Sequence, residues 1–249
     1  MKTVEYRGED NLTVMSSMTR YNRWIYETFS PYLGPNVFEA GCGNGNISRY
    51  VAQDPRIQRF VGVDLSKSFC EKLQKELGST PEKKFEFLPR DLQELNAAEF
   101  STQPFDSIVC SNVLEHIQND LKLLNTFNAI LKPGGHLLLQ VPAFPWLFGS
   151  IDVIDHHYRR YTRQDLLPKL KLAGFKIHKA FYFNVLGIAA WIWHGKVLKL
   201  TTHRENELKW GDRIVPFLQK MESLIHPPIG LSLFAIAQKP NNSHTLNQH

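Results

Sequence analysis

Val37-Phe38-Glu39-Ala40-Gly41-Cys42-Gly43-Asn44-Gly45-Asn46-Ile47 is the stretch whose reading decides the fold. The apolar run from Val37 to Ala40 has the length of one buried strand. Glycines at alternate positions, 41, 43 and 45, follow at once, and a helical pattern begins after them. Glycine lets the backbone turn sharply and approach a ligand with no Cβ in the way. A helix start just beyond offers N–H groups that have no partner inside the helix. Strand, glycine turn and helix together predict a nucleotide-type loop in an α/β chain.

Spacing narrows the ligand. A dinucleotide loop needs G-x-G-x-x-G, and a phosphate-cradling loop needs G-x-x-x-x-G-K-[ST]. Asn46 stands where the first pattern wants glycine or alanine, and the Gly-Lys-Ser/Thr of the second is absent. An acid, Glu39, lies two residues before Gly41. A second short strand, Arg59 to Asp64, ends in another acid 19 positions after Gly45. That is near the distance at which a doubly wound fold sets a carboxylate against a ribose, where it can accept both hydroxyls.

The order Glu-x-Gly-x-Gly-x-Gly resembles motif I of the class I S-adenosylmethionine (SAM) dependent methyltransferases. The loop of that family passes a ligand without phosphate, which fits a loop without lysine. The resemblance implies that Glu39, Gly41, Gly43 and Gly45 hold the methionine end of SAM, with Asp64 at the ribose and Leu65 also binding the cofactor. After a third strand, Phe85 to Leu88, it implies Asp91 at the adenine amino group and Leu92 at the ring. A fourth strand, Phe105 to Cys110, runs into Ser111-Asn112-Val113-Leu114-Glu115-His116. This is similar to the small-molecule form of family motif IV and implies Ser111 and Asn112 near the sulfonium, with His116 structural or close to SAM rather than a base. The Asn/Asp-Pro-Pro-Tyr/Phe form used on nucleic-acid amines is absent, so nucleic acid is not an expected partner. An amphipathic helix, Asp120 to Leu131, the phrase Leu131-Lys132-Pro133-Gly134-Gly135 and a strand His136 to Val141 complete a match over about residues 21–141. The implied fold is Rossmann-like: a doubly wound, seven-stranded sheet, mostly parallel, with the last strand antiparallel at the edge. SAM is the implied cofactor.

Composition is compatible with one domain over 1–240. The chain has 249 residues, 43% hydrophobic and 21% charged, with a formal net charge of +5, an ordinary globular mix. The excess charge is scattered from Arg20 to Lys239. Cys42, Cys70 and Cys110 form neither a C-x-x-C nor a zinc pattern, so free thiols and no metal are expected. No signal peptide is read in the polar N-terminus, and the longest nearly apolar run, Ala180 to Trp193, is short for a membrane span. The expected location is cytoplasmic. Residues 1–32 are read as an N-terminal helical cap, with a helix from Thr19 to Tyr32, and 241–249 as a disordered tail.

The acceptor must be read beyond the fifth strand, because a methyl-donor half-site is shared across such folds and an acceptor site is not. Residues 142–162 are the expected substrate loop. Pro142 to Gly149 is rich in proline and aromatics, and Asp152 to Tyr161 is dense in titratable groups. A hydroxyl acceptor needs a base, and histidine suits that task. His157 is the candidate, with Tyr158 and Arg160 beside it. Choosing His157 over His156 follows a resemblance to family members with an Asp followed by His-Tyr/His-Arg-Arg-Tyr-Thr. The competing reading is a cationic hinge whose arginines pair with Asp152, Asp155 and Asp165. Thr162 to Asp165 has capping-box spacing and opens a helix to Ala173, followed by strands Phe175 to Phe183 and Leu231 to Ala237. Between these strands, 184–230 is a helical insertion, with patterns at Val185 to Leu200 and Asp212 to Ile225. It reads as a cap over the acceptor or, through 185–200, as a peripheral membrane contact. The expected activity is SAM-dependent O-methylation of a small-molecule, glycan or lipid-linked acceptor. The alternatives are a nucleic-acid methyltransferase and a non-catalytic SAM-binding protein.

Overall fold

A computed structural model describes residues 15–198 and 205–241. The expectations on 1–14, on 199–204 and on the tail 242–249 lie outside the described residues. Strands β1 (Asn36–Ala40), β2 (Arg59–Asp64), β3 (Lys84–Pro89), β4 (Phe105–Ser111), β5 (Leu131–Pro142), β6 (Lys176–Phe183) and β7 (Ser232–Gln238) form one sheet in the order β3-β2-β1-β4-β5-β7-β6. The first five strands pair in parallel, and β7 runs antiparallel to both β5 and β6. The doubly wound α/β fold of the sequence reading is therefore present.

The central strands are apolar on both faces because both faces are covered. Side chains alternate along a strand, so Phe38, Val61, Ile108 and Leu137 enter one core while Val37, Phe60, Val109 and Leu138 enter the other. The first core is closed by helix α4 (Asp120–Ile130), and Trp24, Ile25 and Phe29 of α1 (Thr19–Phe29) lie in the second. The remaining helices are α2 (Ser48–Gln53), α3 (Lys67–Leu77), α5 (Ser150–Ile154), α6 (Arg163–Leu172), α7 (Gly187–Trp191), which continues as a π-helical stretch Ile192–Val197, and α8 (Glu205–Ile225). Ser66 caps α3 by accepting the Phe69 N–H, and Thr162 with Asp165 forms the capping box of α6.

Two expectations are corrected. The last strand is antiparallel but does not lie at the edge: β7 sits between β5 and β6, and β6 takes the edge. The reason is polarity. β7 is buried at every residue from Ser232 to Ala237, whereas β6 exposes Lys176, His178 and Lys179, and charged side chains suit an unpaired edge. The fifth strand also begins earlier than expected. Leu131 already pairs with Phe105, and the ladder shifts register before resuming at Ser107 and His136. Gly134, at φ +79°, carries the chain through that irregularity.

The strand order reverses between β1 and β4, which are direct neighbours. Ligands of open α/β sheets bind in the crevice outside the carboxyl ends at such a point. Gly41 to Asn46 and Ser111 to His116 leave the sheet there.

Candidate active site

Two cavities meet at this crevice. The first, about 220 Å³, is walled by Glu39, Gly41, Cys42, Gly43, Asp64, Leu65, Asp91, Leu92, Ser111 and Asn112, among others. Gly45 is the one cofactor candidate that does not line it. Gly41 has φ +73°, and a Cβ there would come within 2.2 Å of Val113 Cγ2, so glycine is required by conformation and by space. The Gly41 N–H donates to the Val63 carbonyl at 2.7 Å, which folds the loop back over β2. Asp64 then clamps it. One carboxylate oxygen accepts the Gly43 N–H at 2.7 Å and the other the Ser66 N–H at 2.9 Å. Asp91 accepts the Gln93 N–H at 2.8 Å, so it caps a turn as well as facing the cavity.

Glu39 is buried at the cavity floor and accepts the Ser48 hydroxyl. Burial pushes its carboxyl up to about 8; the Ser48 hydrogen bond works against this, and Asp64 adds to it. The sign for stability follows. The folded chain keeps a proton that the unfolded chain releases above about 4.5, so this contribution is full at low pH and disappears as pH rises through about 8. Glu115, held up to about 7, acts in the same direction. The cofactor-free protein is therefore expected to lose a few kcal/mol between about pH 5 and 8.5, and Glu39→Gln to flatten that slope. Thermal unfolding of both proteins across this range checks it; parallel curves would show that Glu39 is ionised throughout.

The second cavity, about 360 Å³, is framed by segments far apart in sequence: Met15, Met18 and Tyr21; Glu115 and His116; Pro142, Ile151, Asp155, His157 and Arg160; and residues of both insertion helices, including Trp191, Val215 and Leu218. Met15, Tyr21, Asn112 and His116 line both cavities. Among the described residues, the N-terminal helix, the 142–162 segment and the insertion thus all reach this space. Two buried carboxylates hold the insertion in place. Asp212 accepts the Arg20 and Tyr21 N–H groups at the start of α1, at 3.1 and 2.9 Å. Glu222 accepts those of Asn184 and Val185 at 2.9 and 2.7 Å.

At the cavity wall His157 Nδ1 lies 2.7 Å from Asp152 Oδ1, and Arg160 Nε donates to the same oxygen at 2.8 Å. Asp152 is fully buried and also accepts the Gly149 N–H at 2.8 Å. These donors hold its carboxyl below the usual range although burial alone would raise it. An ionised Asp152 can only accept, so Nδ1 of His157 carries a proton, and in the neutral ring Nε2 keeps the lone pair. Burial pulls the His157 pKa down, but Asp152 and Glu115 more than offset it. Arg160 is buried over the Trp191 ring at 4.3 Å. The competing hinge reading is thus partly realised: Arg160 pairs with Asp152, while Arg159 pairs with Asp120 at 2.8 Å rather than with Asp155 or Asp165. Tyr158 is a correction. Its N–H donates to the Glu115 carbonyl at 2.8 Å, its ring is exposed beside Arg159, and it lines neither cavity. Glu115 was not singled out from sequence. Its signal in the sequence is an acid three residues after the strand-end pair Ser111-Asn112.

A methyltransferase-domain profile matches residues 38–137. The chain is 27% identical over 197 residues to a trans-aconitate 2-methyltransferase of Streptomyces avermitilis, covering 74% of this chain and 70% of that protein. It is 30% identical over 153 residues to a ubiquinone biosynthesis O-methyltransferase of Coxiella burnetii, covering 57% of this chain and 63% of that one. Residues 38–137 form a methyltransferase domain, and the chain is a SAM-dependent methyltransferase. The fold of this methyltransferase is also that of a SAM-dependent methyltransferase from Archaeoglobus fulgidus, at TM-score 0.56 and 16% identity, covering 88% of this chain and 94% of that one. The N-methyltransferase NodS of Bradyrhizobium japonicum, solved with S-adenosyl-L-homocysteine, matches at TM-score 0.55 and 13% identity over 89% and 86% of the two chains. SAM is therefore the cofactor. The donor set of the first cavity fits it: two carboxylates, Asp64 and Asp91, and the buried carboxyl of Glu39 face one guanidinium, Arg90, which pairs with Glu99. Such a wall favours a ligand bearing cationic and hydroxyl groups over a phosphate. No described helix of the methyltransferase is long and apolar enough to cross a membrane.

Proposed function

We propose that the methyltransferase methylates a hydroxyl of a small molecule with an apolar body, held in the second cavity. The observation that carries this reading is the shared wall: Tyr21, Asn112 and His116 border both cavities, and His157, oriented by Asp152, faces the second. Glu39 and the loop of Gly41, Gly43 and Gly45 serve the methionine end; Asp64 and Leu65 the ribose; Asp91 and Leu92 the adenine. Ser111 and Asn112 stand beside the sulfonium, and Ser111 is fixed by its hydrogen bond to the buried Gln140 at 2.7 Å. When bound, SAM supplies a methyl group on a cationic sulfur, and transfer breaks the C–S bond, forms a C–O bond and releases the hydroxyl proton. The residues' share is alignment of the acceptor oxygen, exclusion of water and removal of that proton. His157 Nε2 is the group that draws the proton off. Arg160 positions Asp152 and closes the wall.

The lining supports the acceptor class. Met18, Pro142, Ile151, Leu186, Val215 and Leu218 make the second cavity mostly apolar, which suits an aromatic or lipid-like body better than a free glycan. The relatives' printed activities, on trans-aconitate and in ubiquinone biosynthesis, also point to small molecules. The insertion exposes Leu186, Trp193, Trp210, Phe217 and Leu224, the surface on which the expected membrane contact around 185–200 would fall.

The test is methyl transfer from radiolabelled SAM into fractionated small-molecule and lipid extracts. Label is expected in an organic-soluble product, and His157→Ala is expected to cut turnover by about 10²- to 10⁴-fold with SAM affinity unchanged. Label in RNA alone, or none in any fraction, would overturn the reading.

A further inference from the structure

Glu115 and His116 belong to the short turn Leu114–His116 that follows β4, and His157 follows α5. The chain brings them together at the wall of the second cavity, where His116 also borders the first. One carboxylate oxygen of Glu115 and one ring nitrogen from each histidine lie within 4.8 Å of one another. The two imidazoles meet edge to face with centroids 4.6 Å apart.

Glu115 is the feature that needs explaining. It is fully buried, and neither carboxylate oxygen accepts a hydrogen bond from any other residue. A buried acceptor left without a partner costs about 1–3 kcal/mol, and more for a charged group. The histidines, by contrast, are each held from behind. His157 Nδ1 is bound by Asp152, and the His116 ring hydrogen-bonds the backbone carbonyl of Asp155. Each imidazole therefore has one nitrogen engaged with an oxygen acceptor. Metal-bound histidines are oriented in this way by carboxylates and carbonyls. Asp152 and Asp155 stand close to the cluster against one guanidinium, Arg160, so the surroundings do not oppose a cation.

We propose that Glu115, His116 and His157 bind one divalent transition-metal cation at the wall of the second cavity, which all three line. Two imidazoles and one carboxylate suit Zn²⁺, and Co²⁺ as its spectroscopic substitute, with open positions for an acceptor oxygen. The proposal departs from the metal-free expectation drawn from cysteine and histidine spacing, which could not register ligands from distant segments. It rests on the reading of His157 as the residue that activates the acceptor and changes how it acts. His157 becomes a ligand, and coordination of the acceptor hydroxyl lowers that hydroxyl's pKa.

The experiment uses the full chain, stripped with a chelator and returned to metal-free buffer. Co²⁺ is titrated while its visible absorption is followed, and Zn²⁺ while heat is measured; SAM affinity is determined on the same preparations. One cation per chain is expected. Glu115→Gln and His116→Ala are each expected to weaken it at least about 10-fold, and Glu115→Gln is expected to keep wild-type SAM affinity. Absence of a saturable one-per-chain site in protein that binds SAM would overturn the cation site and return His157 to the role of proton acceptor. Equal cation affinity in wild type and both variants would identify an adventitious ion only and would likewise overturn it. Wild-type protein that takes up the cation at these residues but fails to bind SAM would instead sink the proposed methylation, leaving the cation site standing.

Discussion

Asp152→Ala is expected to destabilise the protein by about 3–5 kcal/mol at neutral pH and to abolish measurable turnover. Both effects have one cause. Asp152 is fully buried, and its carboxylate takes three donors: Gly149 N–H, His157 Nδ1–H and Arg160 Nε–H. Removing it strands a guanidinium whose side chain is only 1% exposed. Breaking one partner out of a buried pair costs far more than the pair contributes, because the remaining charge keeps its desolvation penalty. Turnover falls because His157 loses the contact that fixes its orientation and its tautomer. Asp152→Asn separates the two effects: it preserves shape and one oxygen for His157 and Arg160 and should fold better, yet it removes the negative charge beside them and sets an NH2 against the Gly149 N–H. The pH dependence has a definite sign. Asp152 titrates below its ordinary 3.8 in the folded chain, so its contribution is present above that value and is lost as pH falls through the folded one. The stability gap between wild type and Asp152→Asn should therefore close under acid. Urea denaturation at pH 7 and below pH 4 measures it. A cost under about 1 kcal/mol for the alanine variant would mean that Arg160 finds another counter-charge.

Asp64→Ala is expected to weaken SAM binding by at least about 100-fold. The side chain has two jobs. It clamps the glycine loop through the Gly43 and Ser66 N–H groups, and it is the proposed acceptor for the ribose hydroxyls. Hydrogen bonds to a charged group contribute about 1.5–3 kcal/mol each, so losing two accounts for the change, since each 1.4 kcal/mol is tenfold. Asp64→Asn keeps one acceptor oxygen and should fall between wild type and alanine. Calorimetric titration with SAM gives the affinities, and unfolding without SAM gives the cost of releasing the loop. Affinity within a few-fold of wild type for Asp64→Ala would remove the ribose assignment.

The segments that wall the first cavity are legible in the sequence because their demands are local. A positive φ at Gly41, an acid closing β2 and a polar pair closing β4 each follow from a short stretch of chain, and parallel strands bring the stretches together. The same locality explains the misplacement of β7. Antiparallel direction was implied, but whether β6 or β7 takes the edge depends on pairing across the sheet. Tyr158 was singled out by its neighbours in sequence, and its exposed ring shows that nearness along the chain is not nearness to the cavity.

By itself, the sequence of this methyltransferase determined the α/β class and the place of the glycine loop, since backbone conformation and strand periodicity are properties of consecutive residues; its ligand followed from a family resemblance. Only the tertiary structure decided the acceptor side. Glu115 and His116 meet His157 because β4 and the segment after β5 end on the same side of the sheet. The cavity over them closes because Asp212 and Glu222 tie the insertion to backbone N–H groups about 191 and 38 positions away. Contacts of that range carry no periodicity and no motif, so they exist only once the chain is packed.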